Sequence, residues 1–281
     1  MQSVNKTAVD LLNKISVYAK MIDEAIDAEL LRYSDSNFYK PLKYALEGGK
    51  RIRPIILLLS TKAAGGREED ALREAVAVEL LHTESIIHDD IIDDETVRRN
   101  RPVFHLEYGF NAALLTADFV FGIILDIMSK SKKVVGEDLS KAALQMCEGE
   151  IIEMKAEAED REVPLDKYIL IIEKKTASLF QTASTIGAKL ATAHEKTVEA
   201  LSKYGYNIGI AYQIQDDILD WNDGSKIARR IKFKEGDPKK KLAEIAVKYA
   251  LEAKMSLSDL PDSEAKQILC EIAEFAVNRL S

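Results

Sequence analysis

The chain has 281 residues, 47 Asp+Glu against 39 Lys+Arg, and a formal net charge of -8. Its 47% apolar and 31% charged make-up is that of a globular chain with a sizeable core, and its acidity argues against nucleic acid as the main partner. With 13 Gly and 6 Pro there are too few turn residues for an all-β fold. The opening MQSVNKTAVDLL lacks the basic-then-apolar order of a signal peptide. Cys147 and Cys270 cannot form a disulfide framework and read as reduced thiols of a cytoplasmic protein.

In chain order the pattern is helical nearly throughout. Val9, Leu12, Ile15, Ala19, Ile22 and Ile26 recur at threes and fours and predict one face of a first helix. Pro54 opens a buried helix over 54–61, and Gly65-Gly66 ends it. A long helix is predicted over 69–93, and others over 111–131, 137–160, 165–192, 196–221, 238–256 and 262–279. The apolar stretch from Gly109 to Leu125 contains Asp118 and is shorter than the roughly 20 residues of a spanning helix, so no transmembrane segment is expected. No linker divides the chain, and the segment TASLFQTASTIGAKLA at 176–191 is apolar on more than one face. Such a helix belongs inside a bundle, so residues 1–281 are read as one all-α helical bundle.

Two segments break the logic of a core helix. In IIHDDIIDDE, residues 86–95, Asp89, Asp90 and Asp93 stand at i, i+1 and i+4 among isoleucines. In YQIQDDILDW, residues 212–221, Asp216, Asp217 and Asp220 repeat that spacing. On a helix the first and last of each trio stack on one face. Buried carboxylates need a cation, and magnesium takes one or two carboxylates together with substrate phosphate. Two such sets predict metal sites facing each other across a cavity that receives a diphosphate. A solvated acidic face is the plainer alternative. The motif GGKRIRP at 48–54 adds Lys50, Arg51 and Arg53 beside a glycine turn and a helix start, where phosphate is favoured. Arg98, Arg99 and Arg101 follow the first acidic set, and arginine forks match phosphate oxygens.

In the order GGKRIRP, HTESIIHDDIIDD, RRNRP, KTASLF and YQIQDDILD, the chain resembles the trans-isoprenyl diphosphate synthases, or polyprenyl synthetases, from about residue 40 to 222 and again near its end. The resemblance implies an all-α bundle around a deep central cavity, the isoprenoid synthase-like fold, usually as a homodimer. It implies head-to-tail joining of isopentenyl diphosphate to an allylic diphosphate (dimethylallyl, geranyl or farnesyl), with about three Mg2+ per site held by the six aspartates. It assigns Lys50, Arg53, His82 and Arg99 to isopentenyl diphosphate and Arg98 to the allylic diphosphate. Lys175, Thr176 and Gln213 fall near the allylic group, where dipoles and carbonyls face a developing cation. A product of ~20 carbons is the expectation, from resemblance alone.

The chain also departs from the family pattern. The segment after Asp220, NDGSKIARRIKFKEGDPKKK at 222–241, lacks the usual lysine-bearing loop, leaving Lys226, Arg229, Arg230, Lys232 or Lys234 as substitutes. Glu150 and Glu153 stand where Gln and Asp are common, and Glu84 stands where a small or aromatic residue tunes product length. Leu81, Val78 and Phe119 are candidates for the cavity wall, while Tyr212 and Trp221 read as packing. The alternatives are a non-catalytic or partner-dependent subunit and a terpene cyclase, which needs no isopentenyl site. A di-iron bundle is disfavoured because Glu84 and His88 stand at i,i+4 rather than i,i+3.

Overall fold

The computed structural model describes residues 2–159, 161–221, 227–233 and 235–278, with side chains from residue 8 onward. The helices are α1 (Gln2–Leu31), α2 (Tyr39–Leu46), α3 (Ile52–Ala63), α4 (Leu72–Ile92), α5 (Phe104–Tyr108), α6 (Phe110–Ser129), α7 (Gly136–Ala158), α8 (Leu165–Ile172), α9 (Ser178–Leu190), α10 (Glu195–Leu219), α11 (Pro238–Ser256) and α12 (Glu264–Asn278). A π-helical turn, Glu173–Ala177, joins α8 to α9. The fold is the all-α bundle expected from the sequence, and α3, α9 and α10 lie at its centre.

The central position of α3 follows from its composition. Ile55 to Leu59 form an unbroken apolar run, and all five are fully buried. A helix apolar all round must be surrounded, and α3 packs on α9, α4, α12 and α1. The main core gathers residues from Leu11 to Ala276, so both ends of the chain contribute to it. A second apolar cluster, including Tyr168, Ile171, Ile214 and Ala246, lies where α8, α10 and α11 meet.

Four local expectations change. In α1 the predicted Ile22 and Ile26 are buried and Ile15 and Ala19 pack on the core, but at its N-terminal end Val9 and Leu12 are about half exposed and Leu11 and Tyr18 are buried instead. The single helix predicted over 165–192 is three pieces, since the π turn inserts an extra residue between α8 and α9. The RRNRP segment is a small hairpin, β1 (Val97–Arg98) paired with β2 (Arg101–Pro102). Its turn residues Arg99 and Asn100 have φ of 53° and 60°, the left-handed pair that a two-residue hairpin turn uses. Finally, α6 is long and apolar enough by length and composition to cross a membrane. It packs one face, including Val120, Ile123 and Ile127, against the main core and α4.

Candidate active site

A cavity of about 620 Å³ opens between α4, α7, α10 and the π turn. Asp89 from α4 and Asp216 from α10 both line it, as do Arg53, His82, Arg98, Arg99, Lys175, Thr176 and Gln213. An adjoining cavity of about 220 Å³ continues past Lys175 and Asp216 to Asp217 and Asp220. The two aspartate helices therefore face connected space. Asp93 is exposed at the C-terminal cap of α4, where its N–H still bonds the Asp89 carbonyl. Lys50 is exposed and lines neither cavity.

The aspartates fall into two kinds. Asp90 is 2% exposed, and the Arg98 Nε donates to its Oδ1 at 2.6 Å. Asp217 is equally committed: the Tyr168 hydroxyl donates to Oδ2 at 2.5 Å and Gln213 Nε2 to Oδ1 at 3.0 Å. The Gln213 carbonyl in turn accepts from the Thr176 hydroxyl at 2.8 Å. Burial pushes Asp217 up to about 7 against these hydrogen bonds. Asp89 is also pushed up to about 7, chiefly by burial and then by the charges of Glu150, Asp93 and Glu153, with Lys175 opposing. The Lys175 ammonium lies 2.5 Å from Glu150, 2.8 Å from Glu153 and 3.9 Å from Asp89. Those carboxylates raise its pKa despite burial. One lysine against this many carboxylates leaves buried negative charge that further cations would offset.

The cations of GGKRIRP part ways. Lys50 is exposed. Arg53 turns into the cavity, stacked 4.6 Å from the Phe180 ring centroid, and its Nη1 donates to His82 Nε2 at 2.9 Å. His82 is held neutral, its pKa pushed well down by burial and by the neighbouring arginines, so Nε2 is free to accept. The Arg53 Nε is buried with no protein partner, a donor left for a ligand. Arg51 turns the other way, into the core, where it binds Asp23 and Glu79. Arg99 sits on the hairpin turn and donates to the Glu47 carbonyl at 2.7 Å.

Several side chains beyond the expected set shape the site. Glu79 and Tyr168 escape the sequence reading, though a glutamate inside VAVELL and a tyrosine beside an apolar run are signals that point to them. Phe121, not Phe119, reaches the cavity: Phe119 stacks on Phe38 at 4.5 Å instead. Val78 is core, Leu81 lines the wall, and Tyr212, read as packing, lines it too. Trp221 packs with the second apolar cluster, as expected. Asp118, inside the apolar stretch of α6, is exposed. Glu84 and His88 lie in the wall as a 3.2 Å ion pair, with the carboxylate raising the imidazole pKa. Among the substitute cations, Lys226 and Lys234 lie outside the described residues. Arg230 donates to the Arg161 carbonyl at 2.8 Å and Lys232 pairs with Glu162, so both are spent on the turn before α8.

Among the described residues no three His, Cys, Asp or Glu side chains converge as a ready-made metal cage. The donors available are hard carboxylate oxygens on two separate helices, a set that suits magnesium completed by phosphate oxygens rather than a closed protein site.

A family model described as polyprenyl synthetase matches residues 35–260. The chain is 35% identical over 229 residues to a geranylgeranyl diphosphate synthase of Methanosarcina mazei, covering 79% of this chain and 70% of that protein. It is 37% identical over 203 residues to a geranylfarnesyl diphosphate synthase of the same organism, covering 72% and 68%. The crystal structure of a geranylgeranyl pyrophosphate synthetase from Pyrococcus horikoshii superposes with a TM-score of 0.88 at 30% identity, covering 97% of this chain and 99% of that one.

Proposed function

This chain belongs to the polyprenyl synthetase family and is a prenyltransferase, a polyprenyl diphosphate synthase, and we propose that it condenses isopentenyl diphosphate head-to-tail with an allylic diphosphate to give geranylgeranyl diphosphate. The observation that carries this reading is the shared cavity: Asp89 and Asp216, far apart in the chain, line it together with Arg53, Arg98 and Arg99. Carboxylates on two sides and a cationic rim suit two diphosphates, one bound through divalent ions and one directly by arginine.

Asp89, Asp93, Asp216 and Asp220 would hold Mg2+, about three ions per site by family resemblance. Bound there, the ions would neutralise charge growing on the departing pyrophosphate. In this reading Asp90 and Asp217 act through what they hold. Asp90 aims Arg98 at the allylic diphosphate, and Asp217 fixes Gln213 and, through it, Thr176. Lys50, Arg53, His82 and Arg99 receive isopentenyl diphosphate, and Lys175 stands beside the allylic carbon's leaving group. The allylic C–O bond breaks, its electron pair leaving with pyrophosphate. The isopentenyl double bond then attacks the allylic cation, and a proton lost from the adduct goes to the released pyrophosphate. Such a cation survives only away from water, which suits the apolar wall of Leu81, Met146, Ile151 and Met154.

A ~20-carbon product is favoured by the relatives named for it and by the polar Glu84–His88 pair, a poor surface for further apolar chain. Two copies pair through the exposed apolar face of α6, and the free thiols Cys147 and Cys270 suit a reducing cytoplasm. The test is incubation of the pure protein with Mg2+, labelled isopentenyl diphosphate and each of the dimethylallyl, geranyl and farnesyl primers. A 20-carbon prenyl diphosphate identified by mass is expected. No extractable prenyl product from any primer would overturn the reading.

A further inference from the structure

Arg51 lies between two residues of the phosphate-facing motif yet turns its back on the cavity. Its φ of 55° and ψ of 22° place it in the left-handed region just before α3, uncommon for a side chain of this size. Such a conformation persists where the surroundings over-determine it. Here they do. Arg51 Nε donates to Asp23 Oδ1 of α1 at 2.8 Å, Nη1 to Glu79 Oε1 of α4 at 2.7 Å, and Nη2 to the Leu46 carbonyl ending α2 at 2.5 Å. The Arg51 and Glu79 side chains are 7% and 3% exposed, so the pair is sealed. The loop rests directly on it: a Cβ on Gly49 would stand 2.3 Å from Arg51 Nη1 and 2.8 Å from Glu79 Oε1.

From these contacts we infer that Arg51 and Glu79 form a positioning pair for the isopentenyl diphosphate subsite, holding Lys50 and Arg53 at a fixed separation without touching substrate. This rests on the proposed assignment of Lys50 and Arg53 to that diphosphate. The kink at Arg51 separates an exposed Lys50 from Arg53, which turns into the cavity beside His82. Glu79 stands one helical turn before His82 on α4, so the pair ties the loop to the helix that presents His82 to Arg53. The hairpin holds the same loop from the other side, since Arg99 and Arg101 both donate to the Glu47 carbonyl. The allylic side is held by separate contacts, Asp90 with Arg98 and Glu153 with Lys175. Loosening Arg51 therefore affects one substrate and spares the other.

Arg51→Ala alone would strand a buried carboxylate and could unfold the protein, so the informative variant is the paired Arg51→Met/Glu79→Met, which removes both charges and keeps side-chain volume. Helical circular dichroism and melting temperature report on its fold. Calorimetric titration with isopentenyl diphosphate gives a Kd independent of turnover, and steady-state kinetics give KM for each substrate. The expected result is a folded variant whose Kd and KM for isopentenyl diphosphate rise roughly tenfold to hundredfold, with the allylic KM within about twofold. Glu79→Gln, which keeps an acceptor for Arg51 Nη1, recovers most of the affinity. Unchanged isopentenyl diphosphate affinity in the folded paired variant overturns the inference, as does a parallel rise in both KM values. Wild-type protein that binds isopentenyl diphosphate but forms no prenyl product refutes the proposed reaction, and the Kd ratio still judges the positioning pair. Wild-type protein that fails to bind it refutes both.

Discussion

Asp89 and Asp217 carry a charge cost that a proton, or a cation bound nearby, relieves. Both are pushed up to about 7, against about 3.9 for an unfolded aspartate. Between those values the folded chain holds more protons than the unfolded one, so stability falls as pH rises from about 4 and is lost through about 7. The loss is of the order of a few kcal/mol. Metal-free protein should therefore melt lower at pH ~8 than at pH ~5, with Mg2+ plus pyrophosphate reversing the drop. Asp89→Asn should make that pH dependence shallower, leaving the share of Asp217, while lowering turnover at least about a hundredfold. Melting curves across pH, with a slope identical in the variant, would remove Asp89 as the source. A second prediction concerns the wall. Glu84→Ala with His88→Ala removes a charged pair from the cavity lining, and products longer than the wild type's should appear by mass. At this scale the sequence is legible in type but not in direction. The D-D-x-x-D spacing names the six aspartates, yet nothing in it says that Asp90 and Asp217 spend their oxygens on Arg98, Tyr168 and Gln213. Those partners lie 8, 49 and 4 residues away. GGKRIRP likewise announces three cations, but the left-handed turn at Arg51 decides which one is lost to the core.

The π turn at Glu173–Ala177 is the element on which the site depends most. It carries Lys175 and Thr176 into the cavity between two helices that a regular α path would run straight through. Periodicity could not reveal it. Helices apolar on several faces tolerate a rotation of about 100°, one residue's worth, without exposing their core pattern. Only the N-terminal end of the α1 stripe departs, since Val9 and Leu12 mimic the burying phase that Leu11 and Tyr18 fill. The hairpin at 97–102 was too short for any alternating pattern. The turn is also braced from outside by α7. A Cβ on Gly149 would stand 2.6 Å from the Lys175 backbone nitrogen and 3.0 Å from Lys174 Cβ. Gly149→Ala must displace the turn's own backbone, at a cost of about 1–3 kcal/mol. Turnover should fall further than that loss of stability explains, because Lys175 moves relative to Glu150, Glu153 and Asp89. Parallel melting and kinetic measurements test this: a variant destabilised but fully active would show that the bracing does not reach the chemistry.

The whole molecule leaves one face unaccounted for by its own fold. On α6, Phe110, Leu114, Leu115, Phe121 and Leu125 are between 41% and 58% exposed, and Leu144, Ile151 and Met154 on α7 are similarly uncovered. Exposed apolar surface on this scale marks an interaction site, and two-fold pairing of identical patches is the commonest way to cover one. The face is not remote from the chemistry. Phe121, Ile151 and Met154 are both surface residues here and part of the cavity lining. A lone copy would therefore keep its reaction space behind a thin, wetted wall, while a carbocation demands that water be kept out. Leu115→Glu with Leu125→Glu places charge on this face at two positions that are not themselves part of the lining. Sedimentation should show the unaltered protein as a dimer and this variant as a monomer, with turnover reduced and more primer lost to hydrolysis. An unaltered protein that sediments as a monomer, or a monomeric variant with full turnover and an unchanged product, would separate the apolar face from the reaction.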